Sequence, residues 1–207
     1  MPVPAGGGDT YASLDELKER MDIADTVDDS RLTDALDAAS REIDTWCERE
    51  FTRDDAVSAR LFQPLTPTRV LVDDIHSTDG LTIEVDTSGD GSYATAWTAA
   101  DYQLEPVNGR ANGLSGWPYT RIVAVGSRCF PVCSARPPVR VTALWGWSAA
   151  PAAVRQACLI IAAESFKLGD APFGVAGFGE FGSVRVRMNS RAQSLLAPYR
   201  RNPVLVG

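Results

Sequence analysis

A chain of 207 residues with 44% apolar and 23% charged residues has the make-up of a soluble globular domain, or of a domain carrying a large insertion. No apolar run reaches the ~18 residues of a membrane-spanning helix, and the opening MPVPAGGGDT lacks the basic and apolar regions of a secretory signal. The net charge of −7 conceals a polarity: residues 1–109 hold 8 Lys/Arg against 24 Asp/Glu, and residues 110–207 hold 12 against 3. Two readings fit this split. The acidic part of one copy meets the basic part of another, or the two parts neutralise each other within one fold.

Residues 1–10 read as a flexible leader. Ser13-Leu-Asp-Glu16 is a capping box, with a hydroxyl and a carboxylate placed to satisfy the free N–H groups of a first turn. It predicts a short helix from Leu14 to Met21, with Leu14, Leu17 and Met21 on one face. Asp28 or Asp29 is placed to cap a second helix, predicted from Ser30 to Glu50. There Leu32, Ala35, Leu36, Ala39, Ile43, Trp46 and Cys47 recur at steps of three and four and form an apolar stripe. Charged residues fill the other face, the usual meaning of which is solvent.

From about Arg60 to Trp147 the period falls to two. The predicted strands are Ser58–Phe62, Arg69–Val72, Leu81–Val85, Ala96–Trp97, Tyr102–Glu105, Arg121–Val125 and Val139–Trp145. Turn pairs such as Asp79-Gly80, Asn108-Gly109 and Asn112-Gly113 separate them. A third long helix opens at Pro151. Val154, Cys158, Ile161, Ala162 and Phe166 line one side of it, and Ala157, Leu159 and Ile160 carry the apolar surface nearly all round, which requires burial on more than one side. Gly169 is a natural C-cap. Glycines at 169, 174, 177, 179 and 182, interleaved with Phe173, Phe178 and Phe181, lead into the alternating Ser183-Val-Arg-Val-Arg187. Ser190 is placed to cap a last short helix ending before Pro198.

The search for chemistry is largely negative. Cys47 and Cys158 lie on apolar helix faces as buried thiols. Cys129 and Cys133 lack a second Cys/His pair, so no zinc site is expected. Asp86-Thr-Ser-Gly-Asp90-Gly91 opens like a calcium loop, but its twelfth position is Trp97 where a bidentate glutamate belongs, so a hairpin turn is expected. Gly177-Phe-Gly-Glu-Phe-Gly182 follows a helix instead of a strand, the wrong setting for a dinucleotide. The lone His76, beside Asp73 and Asp74 in a predicted loop, has no nucleophile motif. No cofactor, metal or catalytic residue is expected.

Taken in order, Tyr11-Ala-Ser-Leu-Asp-Glu-Leu-Lys18, Asp28 to Asp44, Arg49-Glu-Phe51, Val70-Leu-Val-Asp-Asp-Ile75, Ala100-Asp-Tyr102, Pro118-Tyr-Thr-Arg-Ile122, Asp170 to Gly182 and Leu196-Ala-Pro-Tyr-Arg200 resemble the head-to-tail connector (adaptor) proteins of long-tailed bacteriophages. The resemblance covers nearly the whole chain. It departs in size, since compact members of that family are mostly helical and residues 58–148 here form a β-rich elaboration.

The resemblance implies a structural virion protein in the neck at the capsid vertex, not an enzyme. It implies a homo-oligomeric ring, twelve copies in number, between the portal protein and a stopper or other neck or tail protein. DNA would pass through its channel without specific binding, and no membrane is involved. The expected fold is α+β: a helical connector core of residues 11–57 and 149–168, a β-rich insertion of residues 58–148, and a glycine-rich loop and C-terminal arm from 169 to 207. The resemblance also implies that the arm reaches the portal. Phe173, Phe178 and Phe181 would then seat in a partner groove, with Arg185, Arg187, Tyr199, Arg200 and Arg201 beside them and the arginines meeting acidic partner residues. A nucleic-acid-binding module using the same arginines on phosphates is the competing reading. An enzyme built on His76 is a third.

Overall fold

A computed structural model describes residues 10–132, 135–169 and 189–201. The expectations for the leader, for Cys133 and for the glycine-rich stretch with Phe173, Phe178, Phe181, Arg185 and Arg187 lie outside the described residues. The chain divides into two units, Met1–Phe51 with Ala150–Gly207 and Thr52–Ala149. The fold is α+β, as expected.

The first unit is helical. Helix α1 (Leu14–Met21) begins on the expected capping box: Ser13 Oγ accepts the Glu16 N–H at 3.2 Å, and the Glu16 carboxylate accepts the Ser13 N–H at 2.9 Å. Leu17 alone of its apolar face is fully buried. Helix α2 spans Asp29–Cys47. Asp28 occupies its N-cap position but does not cap; its carboxylate pairs with Arg31 at 2.9 Å instead. The helix stops three residues short of the predicted Glu50, because Glu48 adopts a left-handed conformation with φ of 55°. Leu32, Ala35, Leu36, Ala39, Ile43 and Cys47 are buried as expected, but Trp46 is only partly covered.

Helix α3 (Ala152–Gly169) is packed against α1, α2 and the short α4 (Ser190–Leu196). That surround explains its all-round apolar surface: Val154, Ala157, Cys158, Leu159, Ile161, Ala162, Ala163 and Phe166 are all buried. Burial of each large aliphatic side chain among them stabilises by roughly 1.5–3 kcal/mol. Pro151 precedes the first turn, its carbonyl accepting the Arg155 N–H at 3.0 Å. The cap of α4 is Asn189, not Ser190. Its side-chain oxygen accepts from the N–H groups of Arg191 and Ala192. A 3-10 turn, Ala197–Tyr199, follows directly.

The second unit is two antiparallel sheets enclosing one core. The strands are β1 (Ser58–Phe62), β2 (Arg69–Ile75), β3 (Thr82–Val85), β4 (Thr95–Trp97), β5 (Tyr102–Glu105), β6 (Arg110–Ala111), β7 (Leu114–Ser115), β8 (Tyr119–Ala124) and β9 (Val139–Ala143). One sheet has the order β1-β9-β3-β4 and the other β2-β8-β5. Inward residues from both meet in the core: Ile83, Val85, Trp97, Val139, Val141 and Ala143 from the first, Val70, Val72, Ile75 and Ile122 from the second. Alternation along each strand places these side chains on one face. Phe130 closes the core, stacked on Trp97 with ring centroids 4.5 Å apart.

Several predicted strand bounds shift. β2 runs on through Asp73 and Asp74 to Ile75, so those carboxylates lie in a strand and not in a loop. β9 stops at Ala143, and Trp145 forms an isolated bridge with Ile75. β6 and β7, each two residues long, were not expected; they make a small hairpin around Asn112-Gly113, both at positive φ.

The entry and exit of this unit are stapled to each other. The Asp54 N–H donates to the Trp145 carbonyl at 2.9 Å, and the Trp147 N–H to the Thr52 carbonyl at 3.0 Å. Between them Gly146 sits at φ of 105°, where an added Cβ would lie 2.0 Å from the Thr52 carbonyl oxygen. Only glycine fits there.

Both parts of the sequence's charge polarity occur in each unit, and ion pairs join them. Glu16–Arg155 and Glu48–Arg200 do so in the helical unit, at 3.7 and 3.9 Å. Asp101–Arg128 and Glu84–Arg140 do so in the β unit, at 2.7 and 2.8 Å. Exposed pairs of this kind contribute little stability, about 0–1 kcal/mol each, but they consume charge that would otherwise face a neighbouring copy.

Candidate interface

Two places in the helical unit gather the residues of interest. The first is an aromatic knot. Phe51 is almost completely buried, and the rings of Tyr11 and Tyr199 meet it edge-on at 5.7 and 5.9 Å. The Tyr11 hydroxyl donates to the Asp44 carboxylate and accepts the Phe51 N–H. The other Asp44 oxygen pairs with Arg41 at 2.8 Å. Tyr199, expected to face a partner, is therefore turned inward, because its ring is the third member of this stack. No sequence signal separates that outcome from an exposed arm.

The second place is an open groove of about 700 Å³ between α2 and α4, lined by Arg41, Glu42, Thr45, Trp46, Gln193 and Arg200. Trp46 lies on the border of the α2 stripe, and this is why it escapes the core. The Arg200 guanidinium sits 5.5 Å from the centre of the Trp46 ring and 3.9 Å from Glu48. With a side chain 53% exposed, Arg200 remains open to a partner. The Arg201 backbone N–H is bonded to the Cys47 carbonyl at 2.9 Å, which fixes where the chain leaves the unit.

In the β unit, His76, Gly116, Trp117, Pro118, Gly146, Trp147 and Ser148 line a small recess of about 110 Å³. Its carboxylate neighbours in sequence are committed elsewhere. Asp73 pairs with Arg60 at 2.8 Å, and buried Asp74 accepts the Trp147 indole N–H at 2.7 Å. The arrangement does not align them with His76 as a relay.

The Asp86 loop is a turn, as expected. The Asp86 carboxylate accepts the N–H groups of Ser88, Gly89 and Gly91, so the loop's own backbone occupies the oxygens that a cation would need. Desolvation works to raise its pKa, but these N–H donors outweigh it and hold the carboxyl below its usual range. Among the described residues no cluster of His, Cys, Asp or Glu could hold a metal ion, and no helix is long and apolar enough to cross a membrane.

Residues 11–83 match the family of phage gp6-like head-tail connector proteins. The resemblance to head-tail connectors is borne out. Three solved chains share the fold along almost their whole length. One, from the neck of the empty gene transfer agent (GTA) particle computed with C6 symmetry, is 18% identical, with 95% of this chain and 93% of that chain covered and a TM-score of 0.54. A second, from the virion of the native gene transfer agent particle, is 17% identical over 95% and 93%, with a TM-score of 0.53. A third, from the neck of the native particle computed with C12 symmetry, is 16% identical over 95% and 92%, with a TM-score of 0.50. No match was found among curated proteins.

The family match runs through α1, α2, β1 and β2 into β3. The three solved chains cover 95% of this chain, so the fold that they share with it includes the β-rich unit.

Proposed function

We propose that the protein is a structural neck component of a phage-like particle: a head-to-tail adaptor, one copy of a ring between the portal and the next neck or tail protein, with the genome passing through the ring's centre. The observation that carries this reading is the connector-family match over residues 11–83. A fold shared with neck chains over 95% of the chain supports it. The C12 symmetry of one of those necks favours twelve copies.

In this reading the docking element is the C-terminal arm. Phe173, Phe178 and Phe181 anchor it, and Arg185, Arg187, Arg200 and Arg201 meet acidic groups of the portal. Tyr199 has a supporting part, bracing the arm's root against Phe51. A ring needs one surface to meet a different surface of its neighbour; exposed Arg200 and the groove beside it provide one such surface. The helical and β units have no catalytic part to play.

The test is complementation in the producing strain with the chain ended after Leu168. The expected result is filled or empty heads without tails, visible by negative stain. Tailed particles from the truncated protein would remove the arm from the mechanism. Heads that join tails normally when the whole protein is absent would remove the adaptor function itself.

A further inference from the structure

We propose that Asn112, at the tip of the β6–β7 hairpin, is a site of spontaneous deamidation, and that the nearby Asn108-Gly109 pair is held inert by the fold. The inference goes beyond the adaptor reading and does not depend on it.

An Asn-Gly pair carries its own reactants. The backbone nitrogen of the glycine, once it has given its proton to a base, attacks Cγ of the asparagine side chain. The bond from Cγ to the side-chain nitrogen breaks, ammonia leaves, and a cyclic imide remains. Water opens the imide at either carbonyl and gives aspartate or isoaspartate. The net change is one water taken up and one ammonia released, with no oxidant and no cofactor. Glycine favours the step because no side chain shields its nitrogen. The chain holds two such pairs, Asn108-Gly109 and Asn112-Gly113. Local sequence treats them alike, and the structure separates them, because the attack requires the main chain to rotate out of its turn.

At Asn112 that rotation meets little resistance. Asn112 and Gly113 are exposed at φ of 51° and 77°, and no atom lies within 4 Å of the place where a Gly113 Cβ would stand. β6 and β7 pair only with each other, through Arg110 with Ser115 and Ala111 with Leu114. A hairpin this short is marginal in water, so it opens at low cost. At Asn108 the nucleophile is engaged. The Gly109 N–H donates to the Pro106 carbonyl at 3.1 Å, and the Gly109 carbonyl accepts the Trp117 N–H at 3.0 Å. Trp117 is buried, its ring edge-on to Trp147 with centroids 5.1 Å apart. Turning Gly109 would disturb that packed pair.

Conversion replaces a neutral amide by a carboxylate beside exposed Leu114. Isoaspartate also lengthens the main chain by one carbon, so Ala111 and Leu114 no longer meet across a two-residue turn. Chains of different age then differ in charge and shape at this tip.

The experiment holds the full-length protein at mildly alkaline pH, samples it over days and digests it with trypsin. Cleavage after Arg110 places the two asparagines in different peptides, 70–110 and 111–121. Mass spectra, with isoaspartate confirmed by methyltransferase labelling, give the rate at each. In the folded chain Asn112 should convert about tenfold or more faster than Asn108. In urea the two rates should converge. N112G keeps a residue suited to the turn but has no amide, and the acidic form seen by ion exchange should disappear from it. Equal rates in the folded protein, faster conversion at Asn108, or no conversion at Asn112 would overturn the proposal. So would a ratio unchanged in urea, which would assign the difference to sequence neighbours, or an acidic form that persists in N112G.

Discussion

The hydroxyl of Tyr11 donates to the carboxylate of Asp44 and accepts the N–H of Phe51, so one side chain joins the start of the described chain to the end of α2 and to the residue from which the chain leaves the helical unit. Tyr11→Phe keeps the ring stack and removes only the oxygen. It strands a buried N–H and takes a donor from a half-buried carboxylate, at a cost of about 1–3 kcal/mol. The measurement is thermal or urea unfolding of the variant, and a loss well below 1 kcal/mol would show that water replaces both bonds.

The alkaline limb of stability should carry the same signature. Burial, and then the hydrogen bond to Asp44, raise the Tyr11 pKa far above its ordinary value of 10.0. Burial pushes the Cys47 thiol from 9.0 up to about 12. Both groups hold their protons more tightly folded than unfolded. Their contribution is therefore fully present below the unfolded values and is lost as pH rises through about 9 to 12. Melting temperature should fall steeply above pH 9, and the slope above pH 10 should be shallower in Tyr11→Phe. Parallel slopes would contradict the assignment.

The acid limb belongs to the β unit. Hydrogen bonds from Arg128 and Thr98 lower the Asp101 pKa from 3.8 to about 2, and Asp86 is lowered by the N–H groups that it accepts. A depressed carboxylate contributes stability above its unfolded value and loses it as pH falls through the folded one. Between pH 4 and pH 2 the wild-type β unit should therefore weaken progressively. In Asp101→Asn that dependence should be visibly flatter, as followed by near-ultraviolet circular dichroism.

Gly146→Ala tests the staple. The new Cβ would fall 2.0 Å from the Thr52 carbonyl oxygen at a backbone angle that alanine rarely adopts. Either the strand ends separate or the chain strains, and the expected loss is about 3 kcal/mol or more. For a unit of this size that lowers Tm by roughly 12 °C or more. A near-neutral substitution would mean that the Thr52–Trp147 pairing is dispensable.

Elements whose signals are local were legible in the sequence. The capping box placed α1 to the residue, and the cleanest alternation, in Leu81–Val85 and Val139–Trp145, found β3 to within one residue and β9 to within two. Where the deciding contact is distant, the reading slipped. Asp73 and Asp74 look like a loop until Arg60 and Trp147, from elsewhere in the chain, supply their partners. Asn189 lost to Ser190 because either residue type caps a helix, and only the backbone path chooses between them. β6 and β7 are too short for any period to register. The candidate interface was least legible. Tyr199 lies beside two arginines in sequence, and nothing local says that Phe51 will claim its ring. Trp46 fits the α2 stripe by spacing, yet α4 leaves it half uncovered.

The paired strand ends at Thr52–Asp54 and Trp145–Trp147 have an evolutionary consequence. Because the β unit begins and ends within a hydrogen bond of the same spot, the chain enters it and leaves it at one point. Residues between Asp54 and Trp145 can therefore be added or removed in evolution without moving the point at which the rest of the chain is joined.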